Sequence, residues 1–86
     1  MTDEQHQLSA VRAVQVLYEQ EIAPCPRSPE WKLGARAGMQ RAHGLRPMPS
    51  PWASGTCQDD ARNAGFHVGH ALMQTQLKAA AQGQAA

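Results

Sequence analysis

Two segments of this chain place glycines four residues apart, Gly34 with Gly38 and Gly65 with Gly69. Both segments otherwise read as helix. Ala61 extends the second series by the same step. A glycine inside a helix costs about 1 kcal/mol relative to alanine. Two helices that each carry such costs need a compensation. Close approach of two backbones supplies one, since only hydrogen stands where a side chain would hold the helices apart. The spacing predicts an all-α protein of three helices, with helices two and three packed through Gly/Ala seams at Gly34, Gly38, Ala61, Gly65 and Gly69. A faint internal echo accompanies it: Pro24/Pro51, Ala37/Ala64, Gly38/Gly65, His43/His70 and Leu45/Leu72 recur at one constant offset.

Punctuation sets the helix limits. The first helix is expected from about Asp3 to Ile22, capped by Thr2 with Gln5 as the box partner. Leu8, Val11, Val14 and Leu17 form its apolar stripe, extended by Tyr18 and Ile22, and Pro24 and Pro26 end it. The second starts at Ser28-Pro29-Glu30-Trp31: a capping hydroxyl, a proline suited to the first helical position, and an acid at the positive helix end. Trp31, Ala35, Gly38, Ala42 and Leu45 should face inward, and Gly44 should stop it. Residues 46–55, with three prolines and a glycine, read as a loop. The third helix is expected near Thr56, with Asp59 completing the cap. Its core stripe is Ala61, Ala64, Gly65, Val68, Ala71 and Leu72, widened by Phe66, Met73 and Leu77. The Ala/Gln-rich stretch from Lys78 is expected to fray. One domain over 1–77 follows, made of an N-terminal helix (3–22) and a two-helix core (28–77), with 78–86 as a flexible tail.

At 86 residues the core must be thin, and much of the apolar content is alanine, which buries little area. A partner, or self-association into a homodimer, is therefore part of the expectation. No apolar run approaches the roughly 18 residues that a membrane span requires. The start, MTDEQHQ, is acidic and polar, unlike a signal peptide, so a cytoplasmic protein with reduced Cys25 and Cys57 is expected.

Net charge is +1, but it is unevenly spread. Residues 1–26 set Arg12 against Asp3, Glu4, Glu19 and Glu21, whereas 27–52 set Arg27, Lys32, Arg36, Arg41 and Arg46 against Glu30. Lys32, Arg36 and His43 fall on one helix face. Arg41 and Arg46 lie nearer the helix end, and Trp52 follows in the loop. Cations beside an aromatic suit phosphate contact with base stacking. The competing reading is a solvated face whose arginines pair with acids of the first helix.

Other chemistry is poorly served. Cys25, Cys57, His67 and His70 are zinc-ligand types, but structural zinc uses close cysteine pairs and these cysteines stand far apart. Cys57, with His67 or His70 and Asp59 or Asp60, supplies the types for nucleophilic catalysis. Yet ten residues of helix separate Cys57 from His67 by about 15 Å. A non-enzymatic protein is expected, with no catalytic residue, metal ligand or cofactor.

Residues 30–73 resemble the ribosome modulation factor family and its small phage and plasmid relatives. The resemblance rests on Trp31-Lys-Leu-Gly34-Ala-Arg36-Ala-Gly38, then Ser50-Pro51-Trp52, Gly55-Thr56, and Asp60-Ala61-Arg62-Asn63-Ala64-Gly65-Phe66-His67-Val68-Gly69. Arg36, Pro51, Trp52, Arg62 and Gly65 match family-type positions. It implies two packed helices and, as in the namesake, binding to ribosomal RNA that regulates translation. The namesake is strongly basic and lacks the acidic helix at 3–22, which could cover the core, mask RNA binding or make a protein interface. The expected function is thus a small regulatory binding protein that contacts ribosome or RNA through Lys32, Arg36, Arg41, Arg46, Trp52 and Arg62. The alternative is a phage- or plasmid-encoded inhibitor or adaptor that binds a host protein complex.

Overall fold

The computed structural model describes residues 3–85. It contains α1 (Asp3–Leu17), a wider π-helical turn over Tyr18–Ile22, α2 (Pro29–Ala42) and α3 (Cys57–Ala85), with no strand among the described residues. The all-α expectation is met. Thr2, expected to cap α1, lies outside the described residues.

The first helix runs over the predicted span, but its stripe differs. Ala10, Val14 and Leu17 are buried, while Leu8 and Val11 stand 63% and 51% exposed. A three-residue step drifts backwards around a helix of 3.6 residues per turn, so Leu8 and Leu17 end on opposite faces. The spacing that stays on one face is the one seen, four then three. At the end of α1 the chain widens: the Ala23 N–H donates to Tyr18 O, five residues back, at 2.9 Å. This places Ile22, five after Leu17, in the core at 1% exposure and leaves Glu21 exposed.

α2 begins and ends as its sequence dictates. Ser28 Oγ accepts from the Trp31 N–H at 3.2 Å, with Pro29 in the first turn. Gly44 takes φ +82°, its N–H donates to Arg41 O at 3.1 Å, and the Leu45 N–H donates to Gln40 O at 2.8 Å. These two bonds make a Schellman stop that only a left-handed residue completes.

α2 and α3 meet along a seam where their backbones approach closely. A Cβ on Gly34 would fall on the Arg62 carbonyl, and one on Gly38 on the Phe66 carbonyl. Reciprocally, Gly65 faces the Trp31 carbonyl and Gly69 the Ala35 carbonyl. Contacts advance together along both helices, so α2 and α3 run parallel. The four glycines form two equivalent pairs, Gly34 with Gly65 and Gly38 with Gly69. Ala61, expected in the seam, is half-buried, and the Arg62 backbone takes the place beside Gly34.

Parallel packing demands a long return. α2 is 14 residues, about 21 Å, and the chain between the helices travels back along that length. The Met48 N–H donates to Gln40 Oε1 (3.3 Å), and Arg62 Nη2 donates to Met48 O (2.7 Å). Ser50 Oγ donates to Asp59 Oδ1 at 2.7 Å. Thr56 caps α3, its Oγ1 accepting from the Asp59 N–H at 3.2 Å. The Asp59 carboxylate was expected to close the capping box. Instead it is buried, held by Ser50 and, at 3.4 Å, by the Asn63 amide.

Val14, Leu17, Ile22, Trp31, Ala35, Met39 and Met73 make the core, edged by Tyr18, Ala42, Leu45, Leu72 and Leu77. The α3 face is narrower than predicted: Ala64, Val68 and Ala71 are exposed, while Gly65, Gly69, Leu72 and Met73 lie inward as expected. Helical backbone continues past Lys78 to Ala85, where fraying was expected. This 29-residue helix, about 44 Å long, accounts for the 44 Å longest dimension.

Gly65→Ala should destabilise the protein by at least about 2 kcal/mol, because overpacking against a backbone carbonyl outweighs the helix-propensity gain. Gly83→Ala, where a Cβ meets nothing within 4 Å, should be neutral or stabilising. Urea denaturation of the two variants checks the contrast.

Candidate nucleic-acid interface

The six residues predicted to bind a partner divide into two groups. Lys32, Arg36 and Arg62 are committed to the fold. Lys32 Nζ donates to Ala23 O at 2.7 Å, tying the chain before α2 to the helix. The Arg36 guanidinium lies 4.2 Å from the Tyr18 ring centroid, and its Nη2 donates to Gln15 Oε1 at 2.9 Å. Arg62 fastens the returning loop through Met48 O and sits 5.2 Å from the Phe66 ring centroid. Arg41 and Arg46 are exposed. Trp52 is half-buried, and its backbone N–H donates to Ser50 Oγ at 3.3 Å, so the loop backbone at this aromatic is tied to a hydroxyl anchored to α3.

These positions do not form one continuous face. At 100° per residue, Arg41 stands about 140° around α2 from Arg36. Lys32 and Arg36 are joined instead by Arg27, exposed just before the helix, with its guanidinium carbon 5.0 Å from the Trp31 ring centroid. Tyr18, Arg27, Pro29, Lys32, Leu33 and Arg36 line a cleft of about 300 Å³. The sequence pattern did not single out Arg27 or Tyr18. Arg27 lies four residues before Trp31, a spacing that could have flagged it. Nothing local connects Tyr18 with Arg36.

The contacts of these cations are with neutral groups. The alternative pairing of arginines with first-helix acids is replaced at Arg36 by Gln15, whose Nε2 donates onward to Glu19 Oε1 at 2.8 Å. Charge is thus held without direct neutralisation.

Among the described residues, no three His, Cys, Asp or Glu side chains gather as a metal site. Cys25 Sγ contacts Glu21 O at 3.1 Å, and Cys57 is exposed near the start of α3. His70 stacks on Phe66 with centroids 6.1 Å apart, and His67 meets the same ring edge-on at 6.2 Å. No described helix is long and apolar enough to cross a membrane. Neither a protein-family model, a curated protein nor a solved structure matches this chain.

Arg36→Ala removes a ring contact, a hydrogen bond and a half-buried stem, and should destabilise by about 1 kcal/mol. Arg41→Ala should stay within about 0.5 kcal/mol of the parent. Equilibrium unfolding of both variants separates the structural cation from the free one.

Proposed function

We propose that this protein is a non-enzymatic RNA-binding regulator of translation, resembling ribosome modulation factor and attaching to ribosomal RNA. The observation that carries the reading is the neutral company of its basic side chains. Lys32 is held by a carbonyl, Arg36 by an amide and a phenol ring, Arg62 by a carbonyl and a phenyl ring, and Arg27 lies over an indole. Each leaves its positive charge free to act outward on phosphates. Arg41 and Arg46 add two exposed cations away from that group, and Trp52 offers a surface for a base. A rigid glycine-packed helix pair is a suitable mount, because the cations then lose little further freedom on binding.

A second reading, a protein-binding inhibitor or adaptor, is favoured by a different surface. Leu8, Val11 and Val16 on α1 are 63%, 51% and 43% exposed. Apolar side chains grouped on one projecting helix are a common feature of protein contacts.

Cosedimentation with ribosomes at low salt tests the first reading. The Arg41→Glu/Arg46→Glu double variant, which leaves the packed cations intact, should lose most of the bound fraction. With about five cations engaged on single-stranded RNA, affinity should fall about tenfold for each doubling of salt. Absence of cosedimentation, with a host protein retained after nuclease treatment and lost on Val11→Asp, would instead establish the second.

A further inference from the structure

The cleft lined by Tyr18, Arg27, Pro29, Lys32, Leu33 and Arg36 brings together three cations from different turns of the chain and no carboxylate. Its volume, about 300 Å³, lies at the small end of ligand sites. Two of its guanidinium groups lie near aromatic rings, Arg36 at 4.2 Å from Tyr18 and Arg27 at 5.0 Å from Trp31. Ring contact restricts a guanidinium before any ligand arrives and leaves its in-plane N–H groups as the binding edge, the arrangement that suits a tetrahedral oxyanion. Donors remain after the internal bonds are counted. Arg36 has five N–H groups and Lys32 three, and each gives one to the fold in the bonds to Gln15 and Ala23. Pro29, in the first turn of α2, places the cleft beside the positive end of that helix.

We propose that this cleft is a seat for one phosphate group, with Arg27 and Arg36 as the hydrogen-bonding forks and Lys32 as the third cation. The inference deepens the RNA-binding reading by assigning it a defined anchoring point, although the seat would equally accept a free phosphate. It also gives the N-terminal helical segment a role. Tyr18 supplies one wall of the cleft and the ring over which Arg36 lies.

The test uses the full chain in a low-salt NMR titration with inorganic phosphate, with chloride as control. Saturable shifts at Arg27, Lys32 and Arg36, absent with chloride, are expected. Arg27→Gln, at an exposed position outside the core, should keep the parent spectrum and weaken phosphate binding about tenfold, whereas Arg41→Gln should not weaken it. Shifts that rise linearly, follow chloride equally, or survive Arg27→Gln with unchanged affinity would overturn the proposal. A parallel arm uses one short oligoribonucleotide with a 5′-phosphate or a 5′-hydroxyl. Tighter binding of the phosphorylated form, with competition by free phosphate, assigns the seat to a terminal phosphate. Equal binding of both, with competition, assigns it to the backbone. Phosphate saturation without oligonucleotide binding keeps the seat and removes the RNA reading. Oligonucleotide binding that ignores both phosphate and Arg27→Gln keeps the RNA reading and removes the seat.

Discussion

The rest of the structure depends on the absence of four side chains. Gly34, Gly38, Gly65 and Gly69 let two parallel backbones approach until each glycine faces a carbonyl of the other helix. At that separation the helices exchange many small dispersion contacts and Cα–H···O contacts, each weak alone. The chain has few large residues to bury: Ile22, Met39 and Met73 are its largest fully buried side chains. The seam therefore does work that a larger core would do elsewhere. Parallel orientation then imposes the rest of the connection, because the chain must return to the starting end of α2 before α3 can begin. Met48, Ser50 and Thr56 are hydrogen-bonded at intervals along that return.

A helix pair this close has little surface left for a core, and α1 supplies it from the side. Val14, Leu17 and Ile22 cover Trp31, Ala35, Met39 and Met73. The π-helical turn makes this possible: continued α-helix would bring Glu21 to the face of Leu17, whereas the wider turn brings Ile22. Polar clasps complete the attachment, with Lys32 on the Ala23 carbonyl and Arg36 against Tyr18 and Gln15. The helix therefore covers the apolar side of the pair and contacts some of its cations.

Much of this was legible in the sequence because the signals were local. Ser28-Pro29 fixed the start of α2, Gly44 its stop and Thr56 the start of α3. Glycines four apart announced the seam, although not its parallel sense. Failures arose where one residue type had to be assigned to one of several faces. Alanine-rich α3 gives nearly the same pattern in every register, so the sequence places Ala64, Val68 and Ala71 inward together with Gly65, Gly69 and Met73, and only the latter three are buried. In α1 the three-residue spacing of Leu8, Val11, Val14 and Leu17 suggests a straight stripe, but it winds around the helix and leaves Leu8 and Val11 exposed. At the candidate site, the basic stretch is visible in the sequence, but not which cations the fold holds in place. That division is set by partners distant in sequence, Gln15 and Tyr18 for Arg36 and Met48 for Arg62.

The acidic N-terminal segment could have neutralised the basic one, and the geometry around Arg36 explains how charge is retained despite their contact. Glu19 and Glu21 are exposed, and Gln15 occupies the position that touches the guanidinium. An amide oxygen accepts the same hydrogen bond as a carboxylate but carries no charge to cancel. Tyr18 acts similarly, since a ring face attracts a cation without neutralising it. A carboxylate in either place would hold the helix as well and would leave a neutral pair beside the cleft. With an amide and a ring, the contact that attaches α1 also orients Arg36 and preserves its charge. The N-terminal segment therefore attaches to the helix pair without cancelling the charge of Arg36, and through Tyr18 it builds one wall of the cleft.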